Sequence, residues 1–281
     1  MIKEFNFDSL EKSIPERSSN SHKGDFGKVM VVGGTEGMGG AAILSSEASL
    51  FSGAGLVHLS THPINVEASL KRNPEVMAYG IDKSFSIPEN IDVLLCGPGL
   101  KNDEWSKNIF DEIISANNFG AVILDAGALH FIGENNLVAS KDKVLTPHPG
   151  EAAKLLGISN NEVQKDRINA AKSISNKFSA SVILKGKETI ICSYGDEELF
   201  ICTEGGPELS SGGTGDVLAG VLSALIAQKV DIIDACKISV AVHARAGEEF
   251  RNKTGEIGLN ASSLIPTISC LLYTSPSPRD S

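Results

Sequence analysis

The chain has 281 residues, of which 41% are hydrophobic, 21% are charged and only 5% are aromatic, and 28 are glycine. This mixture is typical of a globular protein with a sizeable core, and it excludes a disordered chain, a collagen and a small disulfide scaffold. The formal net charge is −10, without a visible basic patch, which argues against nucleic acid or an anionic membrane as a partner. Phosphorylated small molecules are not excluded, because backbone amides bind anions without net positive charge.

The five cysteines form no CxxC pair, and four of them lie in apolar runs. This pattern is typical of buried, reduced thiols in a reducing compartment. No apolar run approaches the roughly 20 residues of a membrane span, and no signal-peptide segment follows the N-terminus. We therefore expect a soluble, cytoplasmic protein.

Short apolar runs alternate with helical patterns along most of the chain. In chain order they predict a strand at Lys28–Gly33, a helix at Gly40–Phe51, strands at Leu56–Ser60 and Ile91–Cys96, a helix at Asp103–Ala116, strands at Ala121–Asp125 and Lys143–Leu145, helices at Gly150–Leu156 and Asn161–Phe178, strands at Ser181–Lys185, Thr189–Ser193 and Leu199–Cys202, and helices at Thr214–Gln228 and Ile232–Arg251. Continuous apolar strands separated by helices indicate an α/β fold with a mainly parallel central sheet and helices on both faces. The last two strands predict an antiparallel hairpin at one edge of that sheet.

No internal repeat and no linker rich in Pro and Ser divides the chain, so we predict one domain over residues 1–269, with residues 1–22 as a polar lead-in. Residues 270–281 lack periodicity and end in Ser, Pro and Arg. Two interpretations of this tail are open: a frame change, cloning scar or assembly artefact near Ser269, or a natural disordered tail.

The strongest chemical signal is the run Ser211–Asp216 (SGGTGD), which leads into the amphipathic helix predicted from Thr214. Glycines at a helix start let successive backbone N–H groups converge, and the positive end of the helix dipole adds to the same anion hole. Asp216 lies in the first turn, where its carboxylate can accept a proton from a hydroxyl nucleophile, as phosphoryl transfer requires. The alternative is a purely structural turn, with Thr214 and Asp216 as helix caps.

A second motif, Thr146–Glu151 (TPHPGE), follows a predicted strand and opens a helix. Pro149 and Glu151 suit a first helical turn. The two prolines around His148 restrict its backbone, as expected for a residue held over a ligand. A structural role is the alternative for a single histidine.

A third motif, Lys185–Thr189 (KGKET), lies between two predicted strands. Gly186 permits a close backbone approach, and Lys185 and Thr189 can contact phosphate or ribose. The alternative is an ordinary charged hairpin turn.

Glycine turns also follow two strands, at Gly33-Gly34 and Gly97–Gly99, and ligands of open α/β sheets bind at the carboxyl ends of strands. Other nucleotide-site patterns fail: no GxxxxGK[ST] occurs, and Gly33–Gly40 lacks the GxGxxG spacing. The six histidines are scattered without metal-ligand spacing. A phosphate-loop enzyme, a Rossmann dehydrogenase and a Cys/His metal site are therefore disfavoured.

Seven motifs in order resemble those of the ADP/ATP-dependent NAD(P)H-hydrate dehydratases, which have a ribokinase-like fold. These are the glycines of Lys23–Gly27 with the following KVMVVGG, Ser52–Val57, Gly97–Gly99, Leu124–Ala126, Thr146–Glu151, Leu184–Thr189 and Gly212–Gly220. The resemblance extends from about Lys23 to Pro266. It implies a lyase of nucleotide repair that removes water from the S epimer of hydrated NADH or NADPH. The ring hydroxyl is phosphorylated at the expense of ADP or ATP, and phosphate is then eliminated.

The resemblance also implies roles for single residues. Asp216 resembles the catalytic base and a substrate contact, while Gly213 and Gly215 resemble the anion hole. The expected nucleotide-binding residues are Lys185, Gly186, Lys187, Glu188, Thr189 and Gly215. The expected contacts to the hydrated dinucleotide are Ala41, Gly99, His148 and Asp216. Mg²⁺ is expected with the nucleotide, although its ligands are not indicated, and a homo-oligomer, by analogy a tetramer, is expected.

The chain departs from the family pattern at three positions. Lys101 stands where many members have the last glycine of GPGLG, Gly127 replaces one aspartate of DADAL, and Ser263 replaces that of ASDLI. Some relatives carry an N-terminal epimerase domain for which this chain has no room, so we expect action on one epimer. Two alternative functions are open: a vitamin-precursor kinase of the same superfamily, and an inactive nucleotide-binding regulator.

Overall fold

The computed structural model describes residues 2–10, 14–82, 85, 87–116, 118–132, 142–195 and 198–273. Within them, the strands form one sheet of ten in the order β1-β10-β9-β8-β7-β6-β5-β2-β3-β4. The strands are β1 Ile2–Phe5, β2 Lys28–Val32, β3 Leu56–Thr61, β4 Met77–Gly80, β5 Ile91–Cys96, β6 Phe119–Leu124, β7 Lys143–Leu145, β8 Ser181–Leu184, β9 Ile190–Cys192 and β10 Leu199–Cys202. The helices are α1 Gly39–Phe51, α2 Val66–Arg72, α3 Glu104–Ser115, α4 Pro149–Leu156, α5 Asn160–Lys165, α6 Arg167–Phe178, α7 Thr214–Ala227, α8 Ile232–Thr254 and α9 Ala261–Tyr273. Four short 3₁₀ turns connect some of these elements.

The predicted α/β architecture is confirmed. The seven strands from β8 to β4 in the sheet order pair in parallel, and β9 pairs antiparallel with both β8 and β10. The hairpin is not the edge of the sheet, however, because β1 pairs in parallel with β10 outside it. The prediction of a loosely specified lead-in is therefore wrong for this segment: Phe5 and Phe7 are buried in the core.

The structure differs from the sequence-based prediction in three further respects. Strand β4 and helix α2, which are short and mostly exposed, were not predicted. The long helix predicted over Asn161–Phe178 is divided at Asp166, which ends α5 and caps α6 by accepting a hydrogen bond from the Asn169 N–H at 2.9 Å. Helix α9 runs to Tyr273, so the first part of the predicted tail is helical. The remainder of that tail lies outside the described residues.

Both faces of the sheet are covered, which explains the uninterrupted apolar strands. In β2, Val29 and Val31 join one buried cluster while Met30 and Val32 join the other, because successive side chains of a strand point to opposite faces. Helices α1, α7, α8 and α9 cover the first face, and α3 to α6 cover the second. No described helix has the length and apolarity to cross a membrane.

Helices α1 and α7 approach closely along a seam of small residues. Ser49 Oγ lies 2.8 Å from Ser223 Oγ and donates to the Gly220 carbonyl at 3.1 Å. A Cβ at Gly220 would lie 2.3 Å from the Ser45 carbonyl oxygen. The seam sets the position of the amino end of α7, because α1 is the neighbour against which that helix packs.

We predict that Gly220→Ala destabilises the protein by about 2 kcal/mol, although alanine is the better helix former, because overpacking outweighs helix propensity. Gly40→Ala in α1 is the matched control, since a Cβ at Gly40 meets nothing within 4 Å. Urea unfolding of both variants measures the difference. Equal stabilities would show that the seam has room to relax.

Candidate active site

The fold brings the sequence motifs to one edge of the sheet. Strands β2, β5, β6, β7 and β8 are parallel neighbours, so their carboxyl ends lie side by side. The residues that directly follow them include Gly33, Gly97, Asp125, Thr146 and Lys185. This is the edge at which open α/β sheets bind ligands.

The amino end of α7 faces this edge and is not capped by a side chain. Gly213, in the N-cap position, has a φ of 92°, and no side-chain cap hydrogen bond is present among the described residues. The Thr214 hydroxyl instead donates to the carbonyls of Leu209 and Ser211, at 2.9 and 3.0 Å. The alternative that Thr214 caps the helix is therefore wrong. The Thr214 N–H donates to the Ser211 carbonyl at 3.5 Å, and the amino end of α7 beyond it is a place where an anion can bind.

Asp216 lies in the first turn of α7 and is only partly exposed. Burial raises the pKa of its carboxyl to about 7, and the negative charges of Asp125 and Glu151 act in the same direction, while Lys185 opposes them. A carboxyl whose pKa lies near neutral pH is suited to accept and release a proton during turnover.

The side chain of Lys185 extends towards the first turn of α7, which contains Asp216. Its Nζ donates to Asp125 Oδ1 at 2.8 Å and lies 3.3 Å from the position that a Cβ at Gly215 would take. Thr146 donates to the same Asp125 oxygen at 2.7 Å. Asp125 and Thr146 were not among the predicted site residues, although the motif containing each was noted.

The predicted nucleotide segment borders a cavity of about 550 Å³ between the β8–β9 loop, α7 and α8. Lys185, Gly186, Lys187 and Thr189 line it together with Gly215, and in the described part of the chain Glu188 does not. Glu188 instead takes a φ of 56° within the turn. The opposite wall includes buried His243, whose ring contacts the Thr214 carbonyl at 2.9 Å.

Arg167 holds this segment from outside and was missed by the sequence analysis. Its guanidinium donates to the carbonyls of Leu184 at 3.2 Å, of Lys185 at 3.4 Å and of Lys187. A Cβ at Gly186, where φ is 139°, would lie 3.1 Å from this guanidinium. No sequence signal indicated the contact, because it depends on the division of α5 from α6.

Ala41 and Gly99 come together on the other side of the anion hole. The Ala41 N–H donates to the Met38 carbonyl at 3.3 Å, and that oxygen lies 2.4 Å from where a Cβ at Gly99 would stand. One turn along α1, Ser45 Oγ donates to the Asp216 carbonyl at 2.9 Å. The helix that carries Ala41 therefore contacts the first turn of α7.

The structure gives His148 a structural role. Its Nδ1 accepts hydrogen bonds from the N–H groups of Gly150 and Glu151, at 3.0 and 3.3 Å, and so caps α4. Its Nε2 lies 3.3 Å from Glu151 Oε1, and 57% of the side chain is exposed. With Nδ1 occupied as an acceptor, only Nε2 can donate to a ligand.

Gly127, one departure from the family pattern, adjoins the residue before Lys101, another departure. A Cβ at Gly127 would stand 2.2 Å from the Leu100 carbonyl oxygen, so an aspartate does not fit there. The following Lys101 donates from Nζ to the Glu36 carbonyl at 2.7 Å. The Leu100 carbonyl thus occupies the space that a side chain at position 127 would need.

A larger cavity, of about 1030 Å³, lies at the opposite edge of the sheet, beside the amino ends of β6, β7 and β8. Its lining includes Asp92, Glu198 and Asp231. None of the chemical motifs reaches it, and we assign the site to the smaller cavity. Among the described residues, no group of three or more His, Cys, Asp or Glu side chains could hold a metal ion.

The raised pKa of Asp216 predicts that this residue costs stability. The folded state binds a proton more tightly than the unfolded state, so stability from this group is lost as pH rises from about 4 to 7. We expect Asp216→Asn to stabilise the protein more at pH 8 than at pH 5, by a difference on the order of 2 kcal/mol. Urea unfolding at both pH values tests this, and a gain independent of pH contradicts the shift.

Comparison with known proteins agrees with the resemblance. Bifunctional NAD(P)H-hydrate repair enzyme Nnr of Vibrio cholerae is 40% identical over 92% of this chain, which covers 52% of that protein. The chain thus spans about half the length of the curated relatives that it matches most strongly. The ADP-dependent (S)-NAD(P)H-hydrate dehydratase of Neisseria meningitidis is 35% identical, over 89% of this chain and 86% of that one.

A solved structure is similar over most of this chain. The ADP/ATP-dependent NAD(P)H-hydrate dehydratase of Bacillus subtilis, co-crystallised with ATP and Mg²⁺, matches with a TM-score of 0.84 and 27% identity over 92% of this chain and 94% of that one. The sequence model of the NAD(P)H-hydrate dehydratases matches residues 29–269. The chain therefore belongs to the NAD(P)H-hydrate dehydratase family.

Proposed function

We propose that this protein catalyses the ADP- or ATP-dependent dehydration of the S epimer of hydrated NADH or NADPH. The observation that carries the proposal is the position of Asp216, whose pKa burial raises to about 7, beside the uncapped amino end of α7. A proton acceptor and an anion hole in one turn of helix are what the phosphorylation of a hydroxyl requires.

In this reaction the oxygen of the ring hydroxyl attacks the terminal phosphoryl group of ADP or ATP, and Asp216 accepts the proton of that hydroxyl. AMP or ADP departs. The amides of Gly213 and Gly215 hold the transferring phosphoryl group, and the Lys185 ammonium adds a positive charge beside it. Phosphate then leaves with the electron pair of the ring C–O bond. Loss of a proton from the neighbouring ring carbon restores the double bond.

The two sides of the anion hole support two ligands. The cavity of about 550 Å³ with Lys185, Gly186, Lys187 and Thr189 takes the adenine nucleotide, and Glu188 supports the shape of that turn. The side formed by Ala41, Gly99 and His148 takes the hydrated dinucleotide. Asp216 follows Gly215, which lines this cavity, and its carbonyl accepts from Ser45 of α1, the helix that carries Ala41. Transfer between the two ligands requires such proximity.

Mg²⁺ enters this proposal with the nucleotide. The described residues provide no metal cage of their own, so the ion depends on oxygens of the nucleotide phosphates, and we assign it no step. Four buried free thiols in the described part of the chain, Cys96, Cys192, Cys202 and Cys236, support a reducing, cytoplasmic location. By analogy with the family we also propose a homo-oligomer, and a single catalytic domain over residues 1–269.

Two other functions predict different products. A vitamin-precursor kinase of the same superfamily releases a stable phosphorylated alcohol, and an inactive regulator binds nucleotide without turnover. The match of the dehydratase family model over residues 29–269 favours dehydration over both. Phosphate release therefore separates the three functions.

We expect the protein with Mg²⁺ and either ADP or ATP to restore the reduced-nicotinamide absorbance of hydrated NADH and to release equimolar phosphate. Asp216→Asn should lower kcat by about 1,000-fold, because it removes the proton acceptor, and should leave the nucleotide Kd within a fewfold range. If neither nucleotide restores the absorbance, the proposed function is refuted.

If Asp216→Asn catalyses the dehydration at the wild-type rate, only the role of Asp216 is refuted.

We expect Arg167→Met to raise the nucleotide KM about tenfold while the KM for the hydrate changes little, because the variant releases three carbonyls of the nucleotide segment. Arg167→Lys should recover only part of the affinity, since an ammonium does not reproduce the planar fork. Arg72→Met, which breaks a surface ion pair with Glu47, is the control. If Arg167→Met raised the KM values of the nucleotide and of the hydrate equally, Arg167 would not act on the Lys185–Thr189 segment alone.

A further inference from the structure

The carboxylate of Asp125 is buried at the carboxyl end of β6. The residue directly follows β6, and its side chain is 1% exposed. Its backbone is fixed, since its N–H donates to the Cys96 carbonyl at 3.0 Å and a Cβ at Gly97 would stand 1.7 Å from its carbonyl oxygen. The surrounding backbone therefore leaves the carboxylate little freedom to move.

This aspartate stands where a helix cap is expected but does not act as one. Asp125 occupies the N-cap position of the short 3₁₀ turn Ala126–His130, and among the described residues its side chain makes no cap hydrogen bond. Its Oδ1 instead accepts from Thr146 at 2.7 Å and from Lys185 at 2.8 Å. The carboxylate is directed across the ends of β7 and β8, away from its own turn.

We propose that Asp125 is a positioning residue of the phosphoryl-transfer site, which holds the ammonium of Lys185 against Gly215 and Asp216 at the anion hole. This inference rests on the proposed function of that site. A lysine has a flexible four-carbon stem, and without a fixed partner its charge would spread over many positions. Two of the three ammonium hydrogens are then available for Asp216 and for a phosphoryl oxygen.

Asp125 also keeps this ammonium charged. Burial lowers the pKa of Lys185, but the charges of Asp125, Glu151 and Asp216 raise it, and the net pKa lies above its usual value. His243 faces Lys185 from α8 and adds no charge near neutral pH, because burial lowers its pKa to about 4. If the Asp125 charge is removed, fewer negative charges oppose the effect of burial, and the pKa of Lys185 falls.

Asp125 is not itself the proton acceptor. Its Oδ1 already accepts from two donors and its side chain is 1% exposed, whereas Asp216 is partly exposed. The residue therefore acts through Lys185.

The test is a double-mutant cycle in the full chain with Asp125→Asn, Lys185→Met and both together. Asp125→Asn should lower kcat about 100-fold, and the double variant should be no slower than Lys185→Met alone. Asp92→Asn is the control, because it breaks an ion pair with Lys229 at the opposite end of β5 and should leave the rate within twofold. Independent, multiplicative losses would overturn the proposal.

The pH profile separates positioning from a structural role. In Asp125→Asn, Asp216 loses a neighbouring negative charge that raises its pKa, so the acid limb of kcat/KM should move to lower pH. The groups that face Asp216 are Asp125, Lys185 and Glu151; the variant removes the charge of Asp125 and the hydrogen bond that holds Lys185, and leaves Glu151 unchanged. A lower rate with an unmoved acid limb would overturn the proposal.

A readout without turnover distinguishes failure of this proposal from failure of the proposed function. Amine acylation followed by mass spectrometry measures the reactivity of Lys185 in each variant. We expect Lys185 to react faster in Asp125→Asn than in the wild type, since a lower pKa provides more free amine. Equal labelling in the two proteins, with the control unchanged, would overturn the positioning role whether or not the hydrate is a substrate.

Discussion

The site depends on one constraint: the amino end of α7 must lie uncapped against the carboxyl edge of a parallel sheet. The small residues Ser49, Gly220 and Ser223 allow α1 and α7 to approach closely enough for this. The same contact ties α1 to the start of α7 through Ser45 and the Asp216 carbonyl. Packing far inside the protein therefore determines where the anion hole and the proton acceptor stand.

Electrostatics at this edge follow from the same arrangement. Three carboxylates, Asp125, Glu151 and Asp216, surround the ammonium of Lys185. Since one cation cannot neutralise three buried anions, a carboxyl in this group takes up a proton more readily than in water. The raised pKa of Asp216 lowers the stability of the protein at neutral pH and gives the site a group that titrates near neutral pH. The proposed function thus gives an acidic chain a means to bind anionic ligands, through backbone amides and a fixed Lys185.

The sequence predicted the central elements well because they are buried on both faces. The run of Val29 to Val32 reads as a strand without knowledge of its neighbours, and the glycines of Gly212–Gly215 predict the anion hole directly. Strand β1 and the division at Asp166 were missed, because the first needs β10 as a partner and the second a local cap. Local patterns carry no information about the pairing of β1 with β10, whereas the Asp166 cap is local and was overlooked.

The sequence by itself determined the fold class, the helix start at Thr214 and the identity of the candidate base. Those features depend on residue type and short-range spacing. Only the tertiary structure decided that Lys185 turns towards Asp125 and Asp216, that Arg167 holds the nucleotide segment and that His148 also caps α4. Lys185 and Arg167 are distant in the chain from some of the groups that they contact, and His148 has several possible partners in its own helix. The physical reason is that the parallel sheet brings strand ends together irrespective of their separation in sequence.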